Sequence, residues 1–198
     1  VAVIGSGSGG GVAANILNKK YEVGIFEKGS YGNGMTNNET FGYHNFYDTN
    51  GIQQTRGYKV LLLAGMGIGG GTSVNWTTSL RTPDKILNEW DTLTKQANYF
   101  NSSEFKNSMD YVCKELNVDI KNNRIPQKEK KLAEGLELNN LSYKIIPRNT
   151  SNADCTESGF STFGRYDESI NSSNKIWFSE ERFEPNKVFS DTNIRSLK

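Results

Sequence analysis

The strongest constraint on the fold is a glycine turn set between two short apolar runs. Val1-Ala2-Val3-Ile4 leads straight into Gly5-Ser6-Gly7-Ser8-Gly9-Gly10-Gly11. Val12 to Lys20 then reads as a helix, and the second run, Val23-Gly24-Ile25-Phe26, ends on the acid Glu27. Gly5, Gly7 and Gly10 keep the G-x-G-x-x-G spacing. Strand, glycine turn, helix, strand and acid in that order predict an α/β fold with a Rossmann-like βαβ unit.

Each position has a physical reason. The first glycine permits the tight turn out of the strand, and the second leaves the backbone bare for a pyrophosphate. The third lets the helix lie close to the strand. The helix N-terminus offers unpaired N–H groups and the positive end of a dipole to phosphate. Glu27, closing the second strand, can accept hydrogen bonds from ribose hydroxyls and disfavours a 2′-phosphate, so NADP is the poorest candidate. A tight glycine turn in an α/β protein without any ligand is the competing reading.

The 198 residues can bury a sizeable core. A net charge of +1 gives no electrostatic case for nucleic acid or an anionic membrane. Cys113 and Cys155 are too few for a disulfide framework and lack metal-site spacing. The sequence holds neither an apolar run of membrane-spanning length nor a signal peptide. It begins inside a strand without Met and stops without a closing element, so a fragment of a longer protein is expected, incomplete as a domain and with helices added. Its compartment, cytoplasmic or membrane-associated, is open.

Residues 29–58 show no period of 2 or 3.6 and read as a long connection of the kind that covers a cofactor. His44, the only histidine, lies there and reads as a solvated or hydrogen-bonded loop residue rather than a base. Val60 to Ala64 reads as a short buried strand. It runs into a second glycine stretch, Gly65-Met66-Gly67-Ile68-Gly69-Gly70-Gly71, followed by Thr72-Ser73-Val74-Asn75-Trp76. The flanking Leu, Ile, Val and Trp favour a cofactor-contacting loop over a flexible linker. Helices are predicted from Pro83-Asp84, from Ser102, and over roughly Gln127 to Asn140. Cys113 falls on the apolar face of the second and reads as core. Tyr143 to Pro147 reads as a strand, and residues 148–174 as loop. The chain divides on this basis into residues 1–82, the front of a nucleotide-binding domain, and 83–198, a helical segment with the start of a substrate-side region.

Together the two glycine stretches, with Phe26-Glu27-Lys28-Gly29 and Asn75-Trp76-Thr77-Thr78-Ser79-Leu80-Arg81-Thr82-Pro83, resemble the glucose–methanol–choline (GMC) family of FAD-dependent oxidoreductases. The second run looks closest to the long-chain alcohol oxidase branch. Weaker likeness continues through Glu89-Trp90, Met109-Asp110 and Pro147-Arg148-Asn149. The resemblance implies FAD as cofactor. Gly5, Gly7 and Gly10 would hold its pyrophosphate, Glu27 its adenosine ribose, and Gly70, Gly71, Thr72 and Asn75 its flavin side.

It also implies hydride transfer from a primary, long-chain alcohol to flavin, with oxygen or another acceptor reoxidising it. Membrane association of the parent protein is compatible with that reading. The family's base is a C-terminal histidine, and no residue of this sequence matches it, so no catalytic residue is expected here. Cys155 stands alone where the branch carries several cysteines, with Ser158 in place of another. Met66 and Ser79 also depart from the usual types. Two further readings stay open: a truncated or decayed chain without turnover, and another FAD- or NAD-dependent oxidoreductase sharing only the first motif. The latter leaves residues 65–83 unexplained.

Overall fold

The computed structural model describes residues 1–31, 38–121, 125–151, 170–184 and 187–196. The expectations placed on Cys155 and Ser158 lie outside the described residues. The chain forms two compact units, one of Val1–Thr77 with Asp154–Lys198, the other of Thr78–Ala153. The sequence division after residue 82 thus differs from the spatial one, in which residues 154–198 return to the first unit.

The first unit is mixed α/β. Strand β1 (Ala2–Ile4) leads through the glycine turn into helix α1 (Ser8–Leu17), and strand β2 (Gly24–Phe26) returns parallel to β1. Ala2 pairs with Gly24 and Ile4 with Phe26. The helix begins inside the glycine run, four residues ahead of the expected Val12. Gly7 turns the chain there without a side-chain cap, and Gly11 N–H closes the first helical bond to Gly7 O at 2.8 Å.

A third parallel strand lies on the far edge of β2. Ile25 pairs with Val188 and Phe26 with Phe189. The Phe26 and Phe189 rings stack with centroids 5.1 Å apart. The bond from Glu27 N–H to Phe189 O (2.9 Å) continues the ladder, and Thr192 N–H donates to Glu27 O (2.8 Å). Val23 and Ile25 are fully buried. With a parallel neighbour on each side, β2 is the centre of the sheet, which explains its unbroken apolar run.

The long connection contains structure the sequence did not announce. Helix α2 (Glu39–Phe46) is capped by Asn38, whose side chain accepts from Phe41 N–H at 3.0 Å. It passes directly into β3 (Tyr47–Gln54), which pairs antiparallel with β4 (Leu61–Gly65). The ladder is interrupted between Tyr47 and Ile52, where Thr49, Asn50 and Gly51 all take positive φ. Lys28 and Asp48 form an ion pair at 2.6 Å between the end of β2 and β3, holding the Asp48 carboxyl below its usual range. Strand β4 corrects the expectation of burial, since Leu61, Leu62 and Leu63 are 61%, 49% and 45% exposed. Two strands form a ribbon without a third layer, so alternate leucines emerge on opposite faces, both open among the described residues.

At the Tyr47 end of β3, Phe46, Tyr47 and Val74 form a small buried cluster, with Tyr43 against it. The Tyr47 hydroxyl donates to Val74 O at 3.2 Å. Burial, reinforced by the neighbouring Tyr43, pushes its pKa up to about 12 from 10.0. The neutral phenol is therefore favoured by folding, and this contribution is complete below pH 10. It is lost as pH rises from 10 towards 12, because the unfolded chain gives up the proton first. Unfolding free energy should therefore fall across that window. In urea titrations at several pH values, Tyr47→Phe should flatten the dependence. An equal alkaline loss in both proteins would refute the assignment.

The second unit contains the three predicted helices: α3 (Asp84–Thr94), α4 (Ser103–Glu115) and α5 (Gln127–Leu138). Helix α3 begins after Pro83 and ends where Lys95 turns left-handed. Ser102 caps α4 by accepting from Phe105 N–H at 3.2 Å. Trp90, Tyr99, Phe100 and Phe105 form a chain of aromatic contacts between α3 and α4. Cys113 is a half-buried free thiol on α4. The segment Tyr143–Pro147 is not a strand. The pairing falls instead between β5 (Val118–Asp119) and β6 (Arg148–Asn149).

Candidate nucleotide-binding site

Four segments of the first unit converge around the N-terminus of α1. They are the turn at Gly5 to Gly7, the end of β2 at Glu27 to Gly29, the second glycine stretch, and α6 (Ser173–Trp177). Gly5 takes φ +87°, the left-handed geometry that turns the chain out of β1. A Cβ at Gly10 would lie 1.9 Å from Gly5 O, so α1 approaches the strand closely enough to exclude any side chain. At Gly5, Gly7, Gly9 and Gly71, by contrast, a Cβ would meet nothing within 4 Å. The surface beside the helix start is bare backbone.

The N–H groups in the first turn of a helix have no intrahelical acceptor, and Gly7 brings no side chain to cap them. A bare glycine surface beside uncapped N–H donors fits the pyrophosphate of a dinucleotide, through main-chain hydrogen bonds and the helix dipole. The donor set contains nothing suited to a metal. Among the described residues, no three His, Cys, Asp or Glu side chains gather to hold one.

The second glycine stretch lies against the first. A Cβ on Gly70 would be 3.1 Å from Gly7 Cα. Gly70, Gly71 and Thr72 belong to a tight 3₁₀ turn, Gly70–Ser73. The Thr72 hydroxyl donates to Gly69 O (2.5 Å) and accepts from Ser173 N–H (2.8 Å). The Asn75 amide donates to Gly71 O (3.1 Å) and Thr72 O (3.0 Å), and its oxygen accepts from Thr77 N–H (2.5 Å). Both side chains therefore hold the loop's own shape. Ser173 Oγ donates to Gly7 O at 3.2 Å, tying α6 to the first glycine turn.

Glu27 is 7% exposed. Its Oε2 accepts from Ser6 N–H (2.9 Å) and Ser6 Oγ (2.7 Å), and its Oε1 from Gly29 N–H (2.9 Å). The carboxylate thus joins the ends of β1 and β2. Glu27→Ala would leave buried donors without an acceptor. It should destabilise the apo protein by about 3 kcal/mol in addition to any loss of ligand. Urea unfolding of the ligand-free variant checks this, and an unchanged midpoint would show that these bonds do not support the fold.

The residues that sequence reasoning missed are Ser6 and Ser173. Ser6 occupies the variable position between the first two glycines, which carries no signal of its own. Ser173 lies far along the chain, in a stretch read as loop. His44 is on α2, exposed, with Nδ1 2.8 Å from Thr40 O. Among the described residues no helix is long and apolar enough to cross a membrane.

The first unit is thus a mixed α/β unit with a parallel sheet and a bare glycine surface at a helix start. Residues 8–196 match the family model described as GMC oxidoreductase, and the chain belongs to that family. It is 37% identical over 151 residues to the long-chain-alcohol oxidase FAO4B of Arabidopsis thaliana, covering 75% of this chain and 20% of that protein. The long-chain-alcohol oxidase FAO1 of the same plant is 37% identical over 152 residues, with 75% and 20% covered. For FAO3 the identity is 34% over 154 residues, with 76% and 20% covered. The chain spans about one fifth of the length of these relatives.

Proposed function

We propose that this chain forms the FAD-binding part of an alcohol oxidoreductase acting on a primary, long-chain alcohol. The observation that carries the reading is the meeting of two bare glycine surfaces at the uncapped start of α1. In this reading Gly5, Gly7 and Gly10 shape the pyrophosphate cradle and the first N–H groups of α1 bind it. Glu27 takes a ribose hydroxyl. Gly70 and Gly71 present main chain to the flavin side, and Thr72 and Asn75 keep that main chain in place.

When bound, FAD would supply the acceptor for the hydride lost by the alcohol, with oxygen or another oxidant as the final electron acceptor. The substrate class is supported by the names of the relatives. Proton abstraction is assigned to no residue of this chain. The His44 ring already contacts the carbonyl of Thr40, one helical turn back.

The test is nucleotide release. Protein purified without added cofactor and then denatured should yield FAD, identified by absorbance and mass, at close to one per chain. Release of NAD would favour the reading based on the first motif alone. Failure to take up added FAD would refute the proposal.

A further inference from the structure

We propose that Ser6 is a positioning residue that sets how Glu27 reads the ribose; the proposal rests on the FAD reading above. Ser6 is fully buried. Its hydroxyl donates to Glu27 Oε2 at 2.7 Å and accepts from Gly69 N–H at 3.0 Å. Gly67 O, at 3.3 Å, is the more distant alternative for the same proton. One side chain thus connects the phosphate turn, the ribose carboxylate and the second glycine stretch.

The arithmetic of acceptors gives this arrangement its consequence. An ionised carboxylate offers about four lone-pair sites. Ser6 fills both on Oε2, through its N–H and its hydroxyl, and Gly29 N–H fills one on Oε1. The remaining site is on Oε1, so Glu27 has one directed position for a ribose hydroxyl. Without the Ser6 hydroxyl, Oε2 regains a free site and the carboxylate can rotate. Gly69 N–H also loses its acceptor, loosening the second glycine stretch from the first. Selectivity for the ribose hydroxyl should fall more than affinity for the rest of the cofactor.

The experiment compares dissociation constants of the apo protein for FAD and for its 2′,3′-dideoxyadenosine analogue. The unsubstituted protein should prefer FAD by about tenfold, the value of one charge-assisted hydrogen bond. Ser6→Ala should reduce that preference at least threefold. Glu27→Gln should also reduce it, and adding Ser6→Ala to Glu27→Gln should reduce it no further. Ser6→Cys, close in size and a poorer hydrogen-bonding partner, gives the same comparison where Ser6→Ala does not fold. Equal weakening of FAD and analogue would reduce Ser6 to a structural role and overturn the proposal, as would additive effects in the double variant. Binding of neither ligand by the unsubstituted protein would overturn the FAD reading together with this one.

Discussion

Gly10→Ala is expected to destabilise the protein strongly. The new Cβ would lie 1.9 Å from Gly5 O and 2.9 Å from Gly5 C. Both are main-chain atoms, so no side chain can swing aside to make room. Either α1 moves off the sheet or the Gly5 turn opens. Overpacking of this kind costs about 1–3 kcal/mol in a side-chain core. Against backbone the loss should be at the upper end or beyond, a large part of the total stability of a domain.

Gly9→Ala is the control. Its Cβ would meet nothing within 4 Å, and alanine is the better helix former by about 1 kcal/mol. Urea midpoints should therefore move in opposite directions for adjacent glycines. If Gly10→Ala matches the parent protein, the close approach of helix to strand is wrong.

Gly7→Val should do the reverse of Gly10→Ala, sparing the fold and abolishing the ligand. Gly7 has φ −63° and ψ −167°, which valine adopts without strain, and its Cβ position is open. The branched side chain would occupy the surface a pyrophosphate must reach. Retained FAD should fall at least tenfold, while the melting temperature of the apo protein changes little. The readout is FAD per chain after denaturation, alongside a thermal melt. Unchanged stoichiometry would remove Gly7 from the phosphate cradle. Collapse of the apo protein would show that Gly7 serves packing instead.

These predictions separate three roles that one motif spacing compresses together: turn, cradle and close packing. The turn at Gly5 and the close packing at Gly10 agree with the spacing, because each needs glycine for its own physical reason, and the cradle role of Gly7 is what the Gly7→Val experiment tests. The helices α3, α4 and α5 were legible as well, since their apolar residues recur with helical period and Pro83 and Ser102 mark two of the starts. In the long connection, α2 and β3 were not, because eight-residue elements rich in Asn, Thr and Tyr carry no clear period. Tyr143 to Pro147 has strand-like composition, yet none of its residues belongs to a strand. Its neighbours Arg148 and Asn149 pair instead, through backbone groups that composition does not reveal.

Local sequence determined the strand–turn–helix–strand unit at the front of this protein, because backbone geometry at Gly5, Gly7 and Gly10 depends on neighbours a few residues away. The long-range placements were decided in three dimensions. Val188 and Phe189 become the outer strand of the sheet through pairing with Ile25 and Phe26, and a two-residue strand has no pattern to read. Leu61 to Leu63 look like core in sequence, yet lie exposed on a two-stranded ribbon, since burial depends on what covers a residue. Glu27 looked like a ribose ligand alone. Folding brings Ser6, Gly29, Gly67 and Gly69 around one carboxylate and one hydroxyl, so those atoms join the first glycine turn, the end of β2 and the second glycine stretch. Hydrogen bonds between residues distant in the chain exist only once the chain has closed on itself.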